Sequence, residues 1–543
     1  MPSVIVLDTL SQEGLDLLDA APGITYEVRT GLKGDDLRNA LAEFDGAICR
    51  SGVKITPESL EGNRKLKAIV RAGVGTDNIN SAAATRAGVV VMNTPAGNTL
   101  STAEHAVTLM LALSRNVAPA YQGLIEGRWD RAKYMGAQVA GKTLGVVGLG
   151  RIGLAVVKRA QALEMRVLGY DPFMSKEKAK ELGIEWYEKV DDMLPHVDYL
   201  SVHTPLTEET RNLIDIPQLD RLKPGVRLIN AARGGIYNEA ALVEGLKSGK
   251  IGGVALDVYA EEPCTNSPLF GMPGVLCTPH LGASTEEAQT QVAVEAVQLL
   301  TDFLSTGQIK NAVNIASLDA KMLEQLRGYL DVAFRLGKLA AGLIPSGLKS
   351  CKLTYRGEIA ARDTKVLTAA FSAGLLQGAM ADDVNLVNAS LLLEERGIKL
   401  SSEARTDMGA FRSAMSFEIE GADGQKHKAT GTVFGQSMPR LVSLDGYRLE
   451  AYLDGCLLVF THKDVPGIIG GVGMAFGGHN VNIGQMAVGR AGDVPGGEAV
   501  GILNLDCEPP AAALEAVRKL PAIGSAKVIH LPSAGELPAW LQG

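Results

Sequence analysis

Long apolar runs, basic tracts and paired cysteines are all missing from this chain of 543 residues. No uninterrupted apolar stretch reaches about 18 residues, so no membrane span is predicted. The start, MPSVIVLDTL, lacks the basic region and apolar core of a secretory leader and already reads as a first strand. The six cysteines, Cys49, Cys264, Cys277, Cys351, Cys456 and Cys507, are scattered without a C-x-x-C pair. That predicts neither a disulfide framework nor a zinc site, and it points to a reducing, cytoplasmic home. Net charge is −8 with no long basic run, which argues against a nucleic-acid partner or a polybasic membrane surface. Aromatic residues are few, at 5%. No low-complexity stretch and no internal repeat of fixed period stands out.

What is present is glycine, 62 residues of it, within an ordinary soluble balance of 46% apolar and 21% charged residues. A chain this long predicts roughly three or four domains. From residue 1 to about 97, apolar runs (VIVLD, GAICR, LKAIVRAG, GVVVMN) alternate with helical patterns. One such pattern is SQEGLDLLDA, where Ser11 is expected to cap a helix that turns Leu15 and Leu18 inward. A long helical stretch, TLSTAEHAVTLMLALSRNV, leads to six more strands: 143–148, 166–171, 197–203, 226–230, 253–258 and 274–277. Such alternation predicts parallel, doubly wound sheets. Residues of about 316–452 mix helices (VLTAAFSAGLLQGAM) with alternating strands, and SLDGY predicts a hairpin turn. Residues 453–543 read as β-α-β-β-α-β, a ferredoxin-like sandwich.

The strongest chemical signal is TLGVVGLGRIGLAVVKRA. Gly148, Gly150 and Gly153 follow a strand and open a helix, as a pyrophosphate-binding turn requires. The next strand ends in Asp171, 18 residues after Gly153. A carboxylate there accepts hydrogen bonds from ribose hydroxyls and repels a 2′-phosphate, so NAD is expected rather than NADP. Beyond later strands come Arg233 in NAARGG, Asp257, Glu261 and Glu262 in ALDVYAEEP, and His280 in CTPHLGAST. Strand carboxyl ends are where open α/β sheets collect ligands. An imidazole near its titration point carries a proton at neutral pH. A carboxylate such as Glu262 fixes its tautomer, and a guanidinium pairs with a substrate carboxylate in two hydrogen bonds. With a nicotinamide, that set describes oxidation of a 2-hydroxy acid.

In this order GLGRIG, VHTPLTEETRNLI, NAARGG, ALDVYAEEP and PHLGAST resemble the D-isomer-specific 2-hydroxyacid dehydrogenases. RAGVGTDNI, VMNTPAGNTLSTAEH and GYDPF resemble the branch that acts on 3-phosphoglycerate. The resemblance is dense over 1–315 and extends to a long form with an intervening domain and an ACT domain. It implies a substrate domain at 1–97 completed by 285–315, an NAD domain at 98–284, an intervening α+β domain at 316–452 and an ACT domain at 453–543. It implies Arg233, Glu262 and His280 as active-site residues, with His280 as proton donor and acceptor. It places Arg151, Ile152, Asp171, Thr204, Ala231, Ala232, Arg233, Asp257, His280, Leu281, Gly282 and Ala283 at NAD. Arg50 and Ser51 match contacts to the substrate phosphate, and Arg71 lies beside the cleft. Val74 departs from members with a hydroxyl there.

The implied reaction converts (2R)-3-phosphoglycerate to 3-phosphooxypyruvate, with no metal. Its alternatives are a hydroxypyruvate or glyoxylate reductase and an NAD(H)-sensing interaction protein. In THKDVPGIIG and GGHNVNIGQM, His462, Asp464 and Asn482 match positions that bind L-serine in members that sense it. A homo-oligomer, dimer or tetramer, is expected from such a domain.

Overall fold

The computed structural model describes residues 1–536 apart from 317, 319, 345–346, 378–383, 408 and 491–495. Residues 378–380, the end of one expected helix, and the last seven of the chain lie outside the described residues.

The first sheet is parallel, in the order Thr25–Val28, Ser3–Val6, Gly46–Cys49, Ala68–Arg71 and Val90–Asn93. Its inner strands are short, fully enclosed apolar runs, the pattern that burial on both faces demands. The exposed edge strand Thr25–Val28 lacks that pattern and escapes sequence reading. Ser11 precedes the helix Gln12–Asp19, but its hydroxyl does not cap it; only the Ser11 carbonyl accepts bonds, from the Gly14 and Leu15 amides. Leu18 is buried as expected, whereas Leu15 is half-buried and the fully enclosed companion is Gly14. A side chain there would meet Ala293 Cβ at 2.9 Å, so close packing on the helix Glu286–Thr306 decides that face. The same helix lays Val292, Ala296, Val297 and Leu300 into the core of the first sheet.

The second sheet is also parallel, ordered Val275–Cys277, Ile251–Leu256, Val226–Asn230, Tyr199–Val202, Thr143–Val147, Arg166–Tyr170 and Glu185–Trp186. Counted along the chain, the strands reverse direction of travel between Thr143–Val147 and Tyr199–Val202. Ligands settle at that crevice in a dinucleotide fold. The two-residue strand Glu185–Trp186 carries too little pattern to be read beforehand.

Beyond residue 316 a six-stranded sheet runs Lys399–Arg405, Leu348–Gly357, Ser413–Gly421, Lys426–Phe434, Met438–Leu444 and Tyr447–Tyr452. The first pair is parallel and the rest antiparallel. The expected hairpin is there: Asp445 and Gly446 both take positive φ, 50° and 89°, as a primed two-residue turn requires. The last sheet is antiparallel, ordered Ile483–Arg490, Glu498–Leu505, Cys456–Lys463 and Ile523–His530, with helices Ile468–Gly477 and Ala511–Arg518 on one face. Its other face sends Leu457, Val459, Val500, Ile502 and Ile529 into the apolar core of the preceding sheet. Arg335, fully buried and paired with Asp331 at 2.7 Å, donates to the carbonyls of Leu453, Pro532, Ser533 and Glu536. Among the described residues no helix is long and apolar enough to cross a membrane.

Candidate active site

The glycine turn follows Thr143–Val147 and opens the helix Arg151–Ala162. Gly148 has φ 89°, and a side chain there would meet the His203 carbonyl at 2.6 Å. At Gly153 a Cβ would lie 1.9 Å from the Gly148 carbonyl, so the helix can pack on the turn only with glycine. Gly150 is different: nothing lies within 4 Å of its missing Cβ. That open approach, at a helix N-terminus, suits a pyrophosphate. Asp171 accepts from the Leu149 amide at 2.7 Å and from the Phe173 amide at 2.8 Å, which holds its carboxylate against the turn. Thr204 lies across the crevice with its hydroxyl buried and without a partner among the described residues. These features fit NAD.

Asp257 ends the strand Ile251–Leu256, and its carboxylate is enclosed. It accepts from the Thr278 hydroxyl (2.7 Å), the Leu281 amide (2.7 Å) and the Gly282 amide (2.8 Å), with His105 Nε2 at 3.1 Å. Burial pushes its carboxyl up, but bonds from His105, Thr278 and Leu281 outweigh this and hold it below the ordinary range. These bonds make Asp257 an anchor of the 278–282 loop. His280, on that loop, has a positive φ of 57° and donates its amide to the Asp257 carbonyl. Its Nδ1 is 2.6 Å from Glu262 Oε2, while Glu262 Oε1 accepts from the Tyr259 amide at 3.0 Å. Glu262 is pushed up by burial and pulled down further by these bonds, so it stays ionised at neutral pH. The Glu262 contact uses Nδ1 of His280, not Nε2. Glu261 is exposed and outside this arrangement.

Arg233 follows Val226–Asn230, its carbonyl held by Asn230 Nδ2 at 2.8 Å. The next residue must be glycine, because a Cβ at Gly234 would lie 1.8 Å from the Tyr259 carbonyl. Arg233 Nε contacts Asp77 at 2.8 Å, and its charge helps depress Glu262. Across the crevice Arg71 ends a first-sheet strand beside Cys49, so Arg50 stands at the same edge. Burial lowers the Arg71 pKa, and the charges of Arg233 and Arg50 lower it further. Its Nε is buried with no hydrogen-bond partner among the described residues. The charges of Arg233 and Arg50 thus both reach Arg71, while Arg50 Nη1 also donates to the Thr9 carbonyl at 3.3 Å, and such a basic cluster suits an anion. Ser51 sits exposed beside it, and the Val74 carbonyl accepts from Asn93 Nδ2. Ile152 lies in the first turn of the helix Arg151–Ala162, Ala231 and Ala232 follow the strand Val226–Asn230, and the Ala283 carbonyl accepts from Gln289 Nε2 at 2.6 Å. His105, Asp77 and Thr278 were not singled out in the sequence, although TAEH and GTDN lay in view.

The ACT-like residues fall into two groups. His462 is buried, stacked on Phe460 with ring centroids 5.3 Å apart, and its Nε2 has no partner among the described residues. Asp464, two residues on, pairs with Arg490 at 2.9 Å. Asn482 instead donates to Asp506 at 2.6 Å. The registers Lys463↔Glu498 and Cys456↔Leu505↔Ile483 put Asp464 and Asn482 at opposite ends of the sheet. At about 3.3 Å per residue that is about 25 Å.

Residues 107–282 match the family described as D-isomer specific 2-hydroxyacid dehydrogenase, NAD binding domain. Residues 325–445 match the D-3-phosphoglycerate dehydrogenase intervening domain, and 457–522 the ACT domain. The chain is 39% identical to the D-3-phosphoglycerate dehydrogenase of Archaeoglobus fulgidus over 529 residues, 97% of this chain and 100% of that one. It is 36% identical to that of Bacillus subtilis, over 97% of this chain and 99% of the relative. Among solved structures, D-lactate dehydrogenase from Escherichia coli aligns with a TM-score of 0.51 at 29% identity, covering 57% of this chain and 99% of its own. A glyoxylate reductase from Paecilomyes thermophila aligns with a TM-score of 0.53 at 26% identity, over 57% of this chain and 98% of its own.

Proposed function

The chain belongs to the D-isomer specific 2-hydroxyacid dehydrogenase family, in its D-3-phosphoglycerate dehydrogenase branch, and from that premise we propose the roles its residues play. The activity is NAD-dependent oxidation of (2R)-3-phosphoglycerate to 3-phosphooxypyruvate, the first step of L-serine biosynthesis. NAD supplies the acceptor for the hydride that leaves C2 of the substrate. The turn Gly148–Gly153 and Asp171 hold its pyrophosphate and ribose, and Thr204 and the 231–233 and 280–283 loops flank it. His280 Nε2 takes the proton from the C2 hydroxyl, and Glu262 stabilises the imidazolium that results. Arg233 pairs with the carboxylate that neighbours C2. Arg50 and Arg71, with Ser51, hold the phosphate. Asp257 positions the loop that carries His280.

The observation that carries this reading is the set of guanidiniums at 50, 71 and 233 beside the His280–Glu262 pair. A reductase of unphosphorylated acids needs one cation for the carboxylate, and here the charges of Arg50 and Arg233 both act on Arg71, which supports a second anionic group. A protein that only senses NAD(H) needs no proton carrier. NADH formation measured side by side with 3-phosphoglycerate, glycerate and 2-hydroxyglutarate tests it. The phosphorylated acid is expected to be strongly preferred, and Arg50→Ala to erode that preference. Equal turnover of glycerate would overturn the phosphate assignment.

The first sheet with helix Glu286–Thr306 forms the substrate domain, and the second sheet the NAD domain. Homo-oligomerisation is supported by an exposed apolar arm: Tyr121, Leu124, Ile125, Trp129 and Met135 are each more than half accessible. L-Serine is the proposed effector at the ACT domain, with His462 and Asp464 contributed by one copy and Asn482 by another. A cytoplasmic location accords with six unpaired cysteines.

A further inference from the structure

The absence of any C-x-x-C pair directs attention away from metal, yet folding assembles a different donor set at one corner of the ACT domain. Cys456 opens the central strand, and His530 closes the neighbouring strand directly opposite it in antiparallel register. Glu508 follows the third strand by a few residues and reaches back between them. Its Oε2 receives His530 Nε2 and lies 3.8 Å from Cys456 Sγ. The sulfur, imidazole nitrogen and carboxylate oxygen all lie within 4.8 Å of one another.

Those spans are close to what one tetrahedral ion requires. With Zn–S of about 2.3 Å and Zn–O of about 2.0–2.2 Å, sulfur and oxygen ligands of one zinc stand about 3.5 Å apart. A His–Glu pair alone would be an ordinary surface contact. The thiol turned toward the same oxygen is what changes the chemistry, since a mixed sulfur, nitrogen and oxygen set suits zinc over calcium or magnesium.

We propose that Cys456, Glu508 and His530 form a binding site for a zinc-class divalent cation, with water completing the coordination. The ion takes His530 as the neutral imidazole and Cys456 as the thiolate, and the protons they give up go to solvent. It fastens the start of one strand to the end of its neighbour, where Gly455 and Pro532 already join through the backbone. Arg335 donates to that same Pro532 carbonyl and to Leu453, so the site stands outside the link to the preceding domain. Glu508 also lies two residues beyond Asp506, the partner of Asn482.

The test uses the metal-free full chain titrated with Co2+, whose thiolate complexes give a near-ultraviolet charge-transfer band and visible bands of tetrahedral intensity. The wild-type chain is expected to develop both at one ion per chain, and Zn2+ to abolish them. Cys456→Ser should lose the charge-transfer band while retaining dehydrogenase turnover, which shows that it is folded. His530→Gln should weaken Co2+ binding, and Cys507→Ser should leave the band in place. No band in the wild type, or a band that survives in Cys456→Ser, overturns the site.

Discussion

His105 Nε2 reaches the Asp257 carboxylate at 3.1 Å from a different helix, 152 positions earlier in the chain. Asp257 in turn grips the amides of Leu281 and Gly282 at 2.7 and 2.8 Å. The backbone strain at His280 is therefore sustained by a carboxylate that itself needs a donor from the helix Thr99–Ser114.

Removing that donor should loosen the catalytic loop without touching substrate. Leaving a buried acceptor short of a partner costs about 1–3 kcal/mol. His105→Leu is expected to lower kcat/KM by roughly tenfold or more, with kcat falling and the KM for 3-phosphoglycerate little changed. His105→Gln restores a nitrogen donor and should recover much of the loss. Steady-state kinetics on both variants checks this, and equal impairment in the two would reduce His105 to a packing residue.

His280 and Glu262 should behave as one unit. His280→Ala is expected to lower kcat by roughly 10²–10⁴-fold, the usual scale for a general acid–base group. Glu262→Gln removes the charge behind the imidazole and is expected to fall in the same range. The double variant should lose little more than the worse single one, because paired groups are not additive. NADH binding, read by fluorescence titration, should persist in all three since the Gly148–Gly153 turn is intact. Fully multiplicative losses would show that the two act independently.

His203 gives the fold an acid sensitivity of its own. It is half-buried next to the cofactor crevice, with Nε2 2.8 Å from the Ser201 hydroxyl, and burial of the ring pushes its pKa down to about 4. The unfolded imidazole takes up its proton near pH 6.5, whereas the folded one stays neutral until about pH 4. Between those values the unfolded state holds the extra proton, so stability falls as pH drops through this window. The full contribution is about 3 kcal/mol. Melting temperature followed from pH 7 to pH 4 should fall less steeply in His203→Gln than in the wild type. Parallel curves would show that this imidazole protonates freely in the folded state.

The elements that could be read in advance are those whose cause is local. Gly148 is dictated by its own positive φ of 89°, Gly153 by the Gly148 carbonyl five residues back, and Asp445-Gly446 by the turn it makes. Strands with enclosed apolar runs were equally plain, but Thr25–Val28 and Glu185–Trp186 lie at sheet edges, where burial imposes no pattern. The Ser11 hydroxyl does not cap its helix, and the buried face there is set by packing of Gly14 on Ala293, a contact 279 positions away. The placement of Arg233, Glu262 and His280 beyond strand ends was legible, and the neighbours that hold them were not. Asp77 meets Arg233 across 156 positions, and His105 meets Thr278 across 173. Cys456, Glu508 and His530 stand 52 and 22 positions apart, a spacing that no local motif encodes.

The opposite placement of Asp464 and Asn482 makes the regulatory proposal unusually easy to test. About 25 Å separates the two ends of the sheet, far more than one serine molecule can span. If both residues bind the same effector, they must come from different copies of the chain. Asp464→Ala and Asn482→Ala homo-oligomers should each lose inhibition by L-serine while keeping catalytic turnover. In a hybrid of the two variants, Asp464 of one copy meets Asn482 of the other, so half of the sites at each mixed interface are whole again. Co-expressed and doubly tagged hybrids are therefore expected to regain partial serine inhibition. Such recovery also requires that serine bind one conformational state better than another. Hybrids as insensitive as either parent would exclude a shared site. A wild-type chain indifferent to serine would leave this domain as an assembly module.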